Sequence, residues 1–155
     1  MNDQEKMAYK NKLKQFCKNI IDHRIEISKA AIENAQQSAN SEEKSSAGDK
    51  YETARAMSHL ERDMHTRQLA ENVKELSALH SINTNTIYQA VTNGAFVKCN
   101  EISFFIAIGI GKQIIDGEKI LFLSLNAPLA KLMENKKASD KFLFLDKEIF
   151  IEDVY

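Results

Sequence analysis

The chain has 155 residues, 43% of them apolar and 28% charged, the composition of a globular protein rather than a disordered one. Lys and Arg number 21 against 22 Asp and Glu, and a net charge of −1 argues against a surface built to grip nucleic acid. No apolar run reaches the ~20 residues of a membrane span, the opening MNDQEKMAYK is too polar for a secretory signal, and Cys17 and Cys99 are not spaced as a metal or redox pair. A reduced, cytoplasmic setting without membrane contact is therefore expected.

Composition breaks in the middle of the chain. Every histidine and every arginine precedes residue 81, whereas most of the Phe and Gly, and the only Pro, follow residue 93. The break predicts an α+β protein: a long antiparallel helical hairpin over residues 1–80, a linker over 81–93, and a small antiparallel sheet domain over 94–155. Residues 3–38 read as one helix, with Leu13, Phe16, Ile20, His23, Ile27, Ala30 and Asn34 alternating by three and four as in a coiled-coil seam. The polar stretch 41–48 reads as a turn. A second helix is expected over residues 49–79, with Met57, Leu60 and Met64 forming one stripe and Leu69, Val73 and Leu76 another, shifted in phase. Two long helices joined by a short turn pack antiparallel.

After the linker, apolar runs at 95–98, 103–108, 120–125, 142–145 and 149–151 read as strands, with Asp146-Lys147-Glu148 turning the last two into a hairpin. Pro128 suits the first turn of a helix whose apolar face is Leu129, Leu132 and Met133. The expected result is a small sheet with one helix laid across it. Seven Phe exceed what so small a core needs, and the adjacent Phe104 and Phe105 would face opposite sides of a strand, so one of them is expected at an exposed interface.

Few residues carry recognisable chemistry. Asp49 and Glu52 stand three apart where the hairpin reverses; they suit a helix start, and also a pair of carboxylates one turn apart that would share a hard divalent cation with another molecule. His59 and His65 lie on different helix faces and, with Glu61 and Asp63, read as helix surface rather than metal ligands. Gly109-Ile110-Gly111-Lys112 fails the phosphate-loop pattern, and no spacing suggests a catalytic triad.

The order of these parts is similar to the bacterial Gre family of transcript cleavage factors. Residues 123–140, from Leu123-Ser124-Leu125 through Asn126-Ala127-Pro128-Leu129-Ala130 to Lys136-Lys137-Ala138-Ser139-Asp140, resemble that family's strand, its Ser-Pro-Leu helix and its Gly-Lys-Lys-x-Gly-Asp turn. Ala127, Asn135 and Ser139 stand where the family has Ser, Gly and Gly. Asn93-Gly94-Ala95-Phe96-Val97 resembles its Gly-Ser-x-Val strand, and Gly48-Asp49-x-x-Glu52 its acidic tip.

The resemblance implies an FKBP-like sheet domain that docks on RNA polymerase through Asn126, Pro128, Leu129, Lys131 and Asp140. It implies a coiled coil that enters the polymerase's secondary channel. Asp49 and Glu52, with Glu42 and Glu43 as substitutes, would hold Mg²⁺ in common with the polymerase, near the nascent RNA, so that backtracked RNA is cut by the polymerase's own active site. The protein would then be a monomeric accessory factor without an enzymatic site or cofactor of its own. Thr53, Arg55 and Ala56 depart from the family's tip, and a rival register puts Lys44 and Ala47 at the acid positions. Two alternatives follow: a polymerase-binding regulator without cleavage, or a coiled-coil module with a different partner.

Overall fold

The structure, a computed structural model, describes the backbone of residues 1–42 and 48–155 and the side chains of residues 1–41 and 50–155. It is an α+β fold: α1 (Asp3–Glu42), α2 (Gly48–His80), β1 (Phe96–Cys99), β2 (Ser103–Ile106), β3 (Gly111–Ile115), β4 (Glu118–Leu123), α3 (Pro128–Met133), β5 (Lys141–Phe144) and β6 (Lys147–Val154). Glu43 and the turn expected around it lie outside the described residues, as do the side chains of Glu42 and Asp49.

The first helix starts where a reciprocal cap forms. The Asn2 amide donates to the Glu5 carboxylate and the Glu5 amide to the Asn2 side chain, both at 2.8 Å. With neither Gly nor Pro across its 40 residues, nothing interrupts α1.

The chain forms two compact units, residues 1–18 with 78–155, and residues 19–77. This division differs from the expected one of 1–80, 81–93 and 94–155. The physical reason is the sheet. Its strands run in the order β3-β4-β2-β1-β6-β5, antiparallel except for β2 and β4, which pair in parallel. The sheet is therefore mixed, not antiparallel throughout.

Both faces of the sheet are covered. On one, Val97, Phe104, Ile106, Ile149 and Ile151 pack with Ala130 and Met133 of α3 and with Phe142 of β5. On the other, Phe96, Phe105 and Phe122 meet α1: Tyr9 stands edge-on to Phe96 with ring centroids 5.3 Å apart, and Phe16 stacks on Phe122 at 5.9 Å. Phe104 and Phe105 do face opposite sides, but both are fully buried, because each side has a cover. The exposed large apolar residues of this unit are instead Met1, Ile114, Leu132, Leu143, Leu145 and Phe150.

The expected linker is also packed. Ile82, Thr84 and Val91 are buried, and α1 holds the segment through its side chains: Lys10 donates to the Thr86 and Gly94 carbonyls, Lys14 to the Ile82 carbonyl, and the Thr84 hydroxyl bonds Asn11. Gly94 has φ +90°, and a Cβ there would stand 3.0 Å from the Asn83 carbonyl oxygen, so the turn into β1 requires glycine.

In the helical unit, side-chain hydrogen bonds set the direction. Arg62 reaches Gln36, and Asn72 reaches Ser28, so α2 runs opposite to α1. The shielded positions of α1 here are Ile21, Ile25, Ser28, Ile32, Ala35 and Ala39. They lie a step away from the expected stripe, whose His23, Ile27, Ala30 and Asn34 are exposed. On α2 the shielded positions alternate by four and three through Tyr51, Arg55, Ser58, Arg62 and His65, and then Leu69, Asn72 and Leu76. Met57, Leu60 and Met64 point away from this seam and are exposed.

Candidate functional site

The residues singled out in the sequence fall into two groups, one in each unit. Asp49 lies in the first turn of α2, where backbone N–H groups are free, and Glu52 begins the second. Glu52 is exposed. Glu42 is the last residue of α1. Among the described residues no three His, Cys, Asp or Glu side chains are grouped to hold a metal. Mg²⁺ takes six oxygen ligands in a strict octahedron, so a carboxylate pair at this helix start suits an ion held mainly by another molecule and not a resident one. His59 and His65 serve the helix itself: Arg55 donates to the His59 ring, and His65 lies 3.1 Å from the Gln68 side-chain oxygen.

The second group lines the segment around α3. Pro128 opens α3, and Ala130 and Met133 anchor it to the core. Asn126, Pro128 and Lys131 are exposed, while Leu129 packs partly against the core. The helix ends in a turn whose backbone is unusual for its side chains: Asn135 has φ +67° and Ser139 φ +77°. Asp140 fastens this turn, its carboxylate accepting the Lys137 amide at 2.7 Å and its carbonyl accepting the Ile151 amide. Asp140 holds this turn in shape and is itself exposed, as are Asn126, Pro128 and Lys131. Further along, the β5–β6 turn uses Leu145 and Asp146, both at positive φ, two residues earlier than the end of the expected turn.

Sequence reasoning missed a polar cleft of about 290 Å³ on the α1 side of the sheet, lined by Lys6, Tyr9, Lys98, Asp116, Glu118 and Asp153, among others. Glu118 organises it. One carboxylate oxygen accepts the Ser103 hydroxyl at 2.7 Å and the other accepts the Tyr9 hydroxyl at 3.2 Å. Burial, then the Glu118 charge and hydrogen bond, then Asp116, push the Tyr9 phenol up; burial followed by Tyr9, Glu118 and Asp153 does the same to Tyr155. Lys6 bridges Asp153 at 2.8 Å and lies over the Tyr155 ring. The signal that would have found the site is Asp116-Gly117, a dipeptide that favours a tight hairpin and therefore predicts strands on either side. Lys10, buried nearby against the Tyr88 ring, has its pKa lowered to about 8 by desolvation.

No known family profile matches this chain, and no curated protein matches it.

Proposed function

We propose that this protein is an RNA polymerase accessory factor of the Gre type, in which the sheet unit is an FKBP-like base and α1 with α2 forms a coiled coil for the secondary channel. In this reading Asn126, Pro128, Leu129, Lys131 and Asp140 contact the polymerase, and Asp140 also holds its turn in shape. Asp49 and Glu52, or in their place Glu42 and Glu43, stand beside the catalytic Mg²⁺ of the polymerase. The metal supplies activation of water for hydrolysis. The protein's own contribution is negative charge near the metal, from two acidic residues three apart in sequence at a helix start.

The observation that carries this reading is the backbone at Asn135 and Ser139. These are the positions where the resemblance calls for glycine, and both have the left-handed φ that glycine adopts freely. Gly94, in the segment similar to the family's Gly-Ser-x-Val strand, likewise needs its glycine. Three backbone demands for glycine-like conformation therefore fall at positions where the resemblance calls for glycine. The α+β order of two long helices, sheet and short helix agrees with it as well.

The test uses the full chain with stalled, backtracked elongation complexes of a bacterial polymerase. Asp49→Asn with Glu52→Gln keeps the shape and removes two charges. Polymerase binding should persist, RNA cleavage should fall sharply, and high Mg²⁺ should restore part of it. Unchanged cleavage by the double variant moves the role to Glu42 and Glu43. Binding without cleavage by the unaltered protein selects a regulator of the same architecture. Absence of binding overturns the polymerase reading and leaves a helical interaction module.

A further inference from the structure

The cleft between the start of α1 and the sheet has polar groups that the fold leaves incompletely matched. Tyr155 lines it and is only 3% exposed, yet the partner of its hydroxyl is the Met1 sulfur at 3.9 Å. A thioether is a weak acceptor, and a buried hydroxyl ordinarily has a stronger partner. Glu118, half-buried in the same cleft, accepts the Ser103 and Tyr9 hydroxyls but forms no ion pair among the described residues. The cations beside it serve other acids: Lys6 pairs with Asp153 and Lys12 with Asp116. Lys98, the remaining cation of the lining, is exposed and pairs with none of the three. Glu118 therefore has hydroxyl donors but no paired positive charge.

The walls suit an alkyl chain ending in an ammonium. Phe96 touches both phenol rings, with centroids 5.3 Å from Tyr9 and 5.1 Å from Tyr155. Each phenol oxygen keeps lone pairs after donating, so Glu118, Tyr9 and Tyr155 supply three kinds of acceptor for the three N–H donors of a primary ammonium. The chain's own Lys6 shows the same preference: its ammonium stands 2.8 Å from Asp153 and 4.9 Å from the Tyr155 ring centre. A hard metal ion would require more carboxylate or carbonyl oxygens, and a quaternary ammonium has no N–H to offer. The volume, about 290 Å³, is that of a site for a small compound.

We propose that this cleft binds a small primary alkylammonium compound, its N–H groups donating to Glu118, Tyr9 and Tyr155 and its chain lying along the aromatic rings. The assignment does not depend on the polymerase reading.

The test titrates the full chain, labelled at its Tyr rings, with n-butylammonium chloride at constant ionic strength. The Tyr9 and Tyr155 ring resonances should shift and saturate, while tetramethylammonium and butyrate should leave them in place. Glu118→Gln should weaken binding about tenfold and Tyr155→Phe about threefold. Lys98→Gln removes a like charge from the lining and should strengthen binding about twofold, a gain that damage to the fold would not produce. Circular dichroism should report unchanged structure in each variant. Absence of a saturating shift, equal shifts with tetramethylammonium, or unaltered binding by Glu118→Gln overturns the proposal. Tighter binding of Nα-acetyl-lysine amide than of n-butylammonium overturns the small-compound assignment and gives the site to a peptide lysine.

Discussion

Lys10 offers a sharp test of how the base is held together. It is fully buried, donates to the Thr86 carbonyl at 2.6 Å and the Gly94 carbonyl at 3.3 Å, and has its ammonium 4.7 Å from the Tyr88 ring centre. Desolvation lowers its pKa from 10.5 to about 8. Between these values the unfolded chain binds the proton and the native protein does not, so stability rises with pH across that window. Above 10.5 the group is neutral in both states; below 8 it is charged in both, and the native state carries the full cost of burying the charge. The depression corresponds to about 3 kcal/mol, of which about 2 kcal/mol should be regained between pH 7 and 9.5.

The informative quantity is the difference between the unaltered protein and Lys10→Met, measured by urea unfolding at several pH values. Cys17 and Cys99, raised to about 12 by burial, lower stability as the pH climbs past 9, but they do so equally in both proteins. The unaltered protein should therefore gain roughly 2 kcal/mol relative to Lys10→Met between pH 7 and 9.5. A difference that stays flat, or falls, would mean that the ammonium is well solvated and that the segment 81–94 is not held around a desolvated charge.

Three further outcomes follow from the packing. Phe105→Ala empties a fully buried site edge-on to Phe122 and should cost about 3–5 kcal/mol in urea unfolding; a cost under 1 would mean that the α1 side of the sheet is not sealed. Ser139→Gly removes a side chain from a φ of +77° and should raise stability by roughly 0.5–1 kcal/mol, with a smaller gain at Asn135, a residue type that tolerates this conformation. Glu118→Gln should lower the Tyr9 phenol towards its ordinary value of 10.0 without reaching it, because burial is the largest cause of its shift. Alkaline absorbance titration reads this directly. The stability tied to Tyr9 is present below pH 10 and is lost as the pH rises through the shifted value.

The helices, the break in composition and α3 were legible in the sequence because each rests on local chemistry: uninterrupted helix formers, a run of strand residues, a proline at a helix start. The phase of the helix seam was not. Phe16 and Cys17, and Ile20 and Ile21, are adjacent apolar pairs, so two stripes one residue apart satisfy the same alternation. The choice between them comes from tertiary structure. Phe16 is taken by Phe122 of the sheet, and the neighbouring stripe turns inward. The α2 stripe at Met57, Leu60 and Met64 failed for a related reason. Polar Arg55, Arg62 and His65 take shielded positions on α2, leaving the larger apolar residues outside. β3 was hidden by Gly111 and by Lys112 and Gln113, which read as loop; its pairing with β4 across Asp116-Gly117 makes it a strand. The cleft around Glu118 could not be read, since Tyr9, Ser103 and Glu118 meet only when α1 covers the sheet.

Because the sheet is walled on one side by residues from the start of the chain, the helical unit is topologically an insertion: residues 19–77 interrupt a base made of 1–18 and 78–155. Cutting the chain at residue 94 would not release a domain. It would strip the cover from Phe96, Phe105 and Phe122 and invite aggregation. During synthesis the opening residues must wait for nearly the whole chain before they find the strands they cover, a long-range closure that slows folding. The same topology suggests how to isolate the base. The Tyr155 hydroxyl lies 3.9 Å from the Met1 sulfur, so a short linker can join residue 155 to residue 1. A circular permutant running from 78 through 155 and on to 1–18 would keep both walls while leaving the helical pair behind.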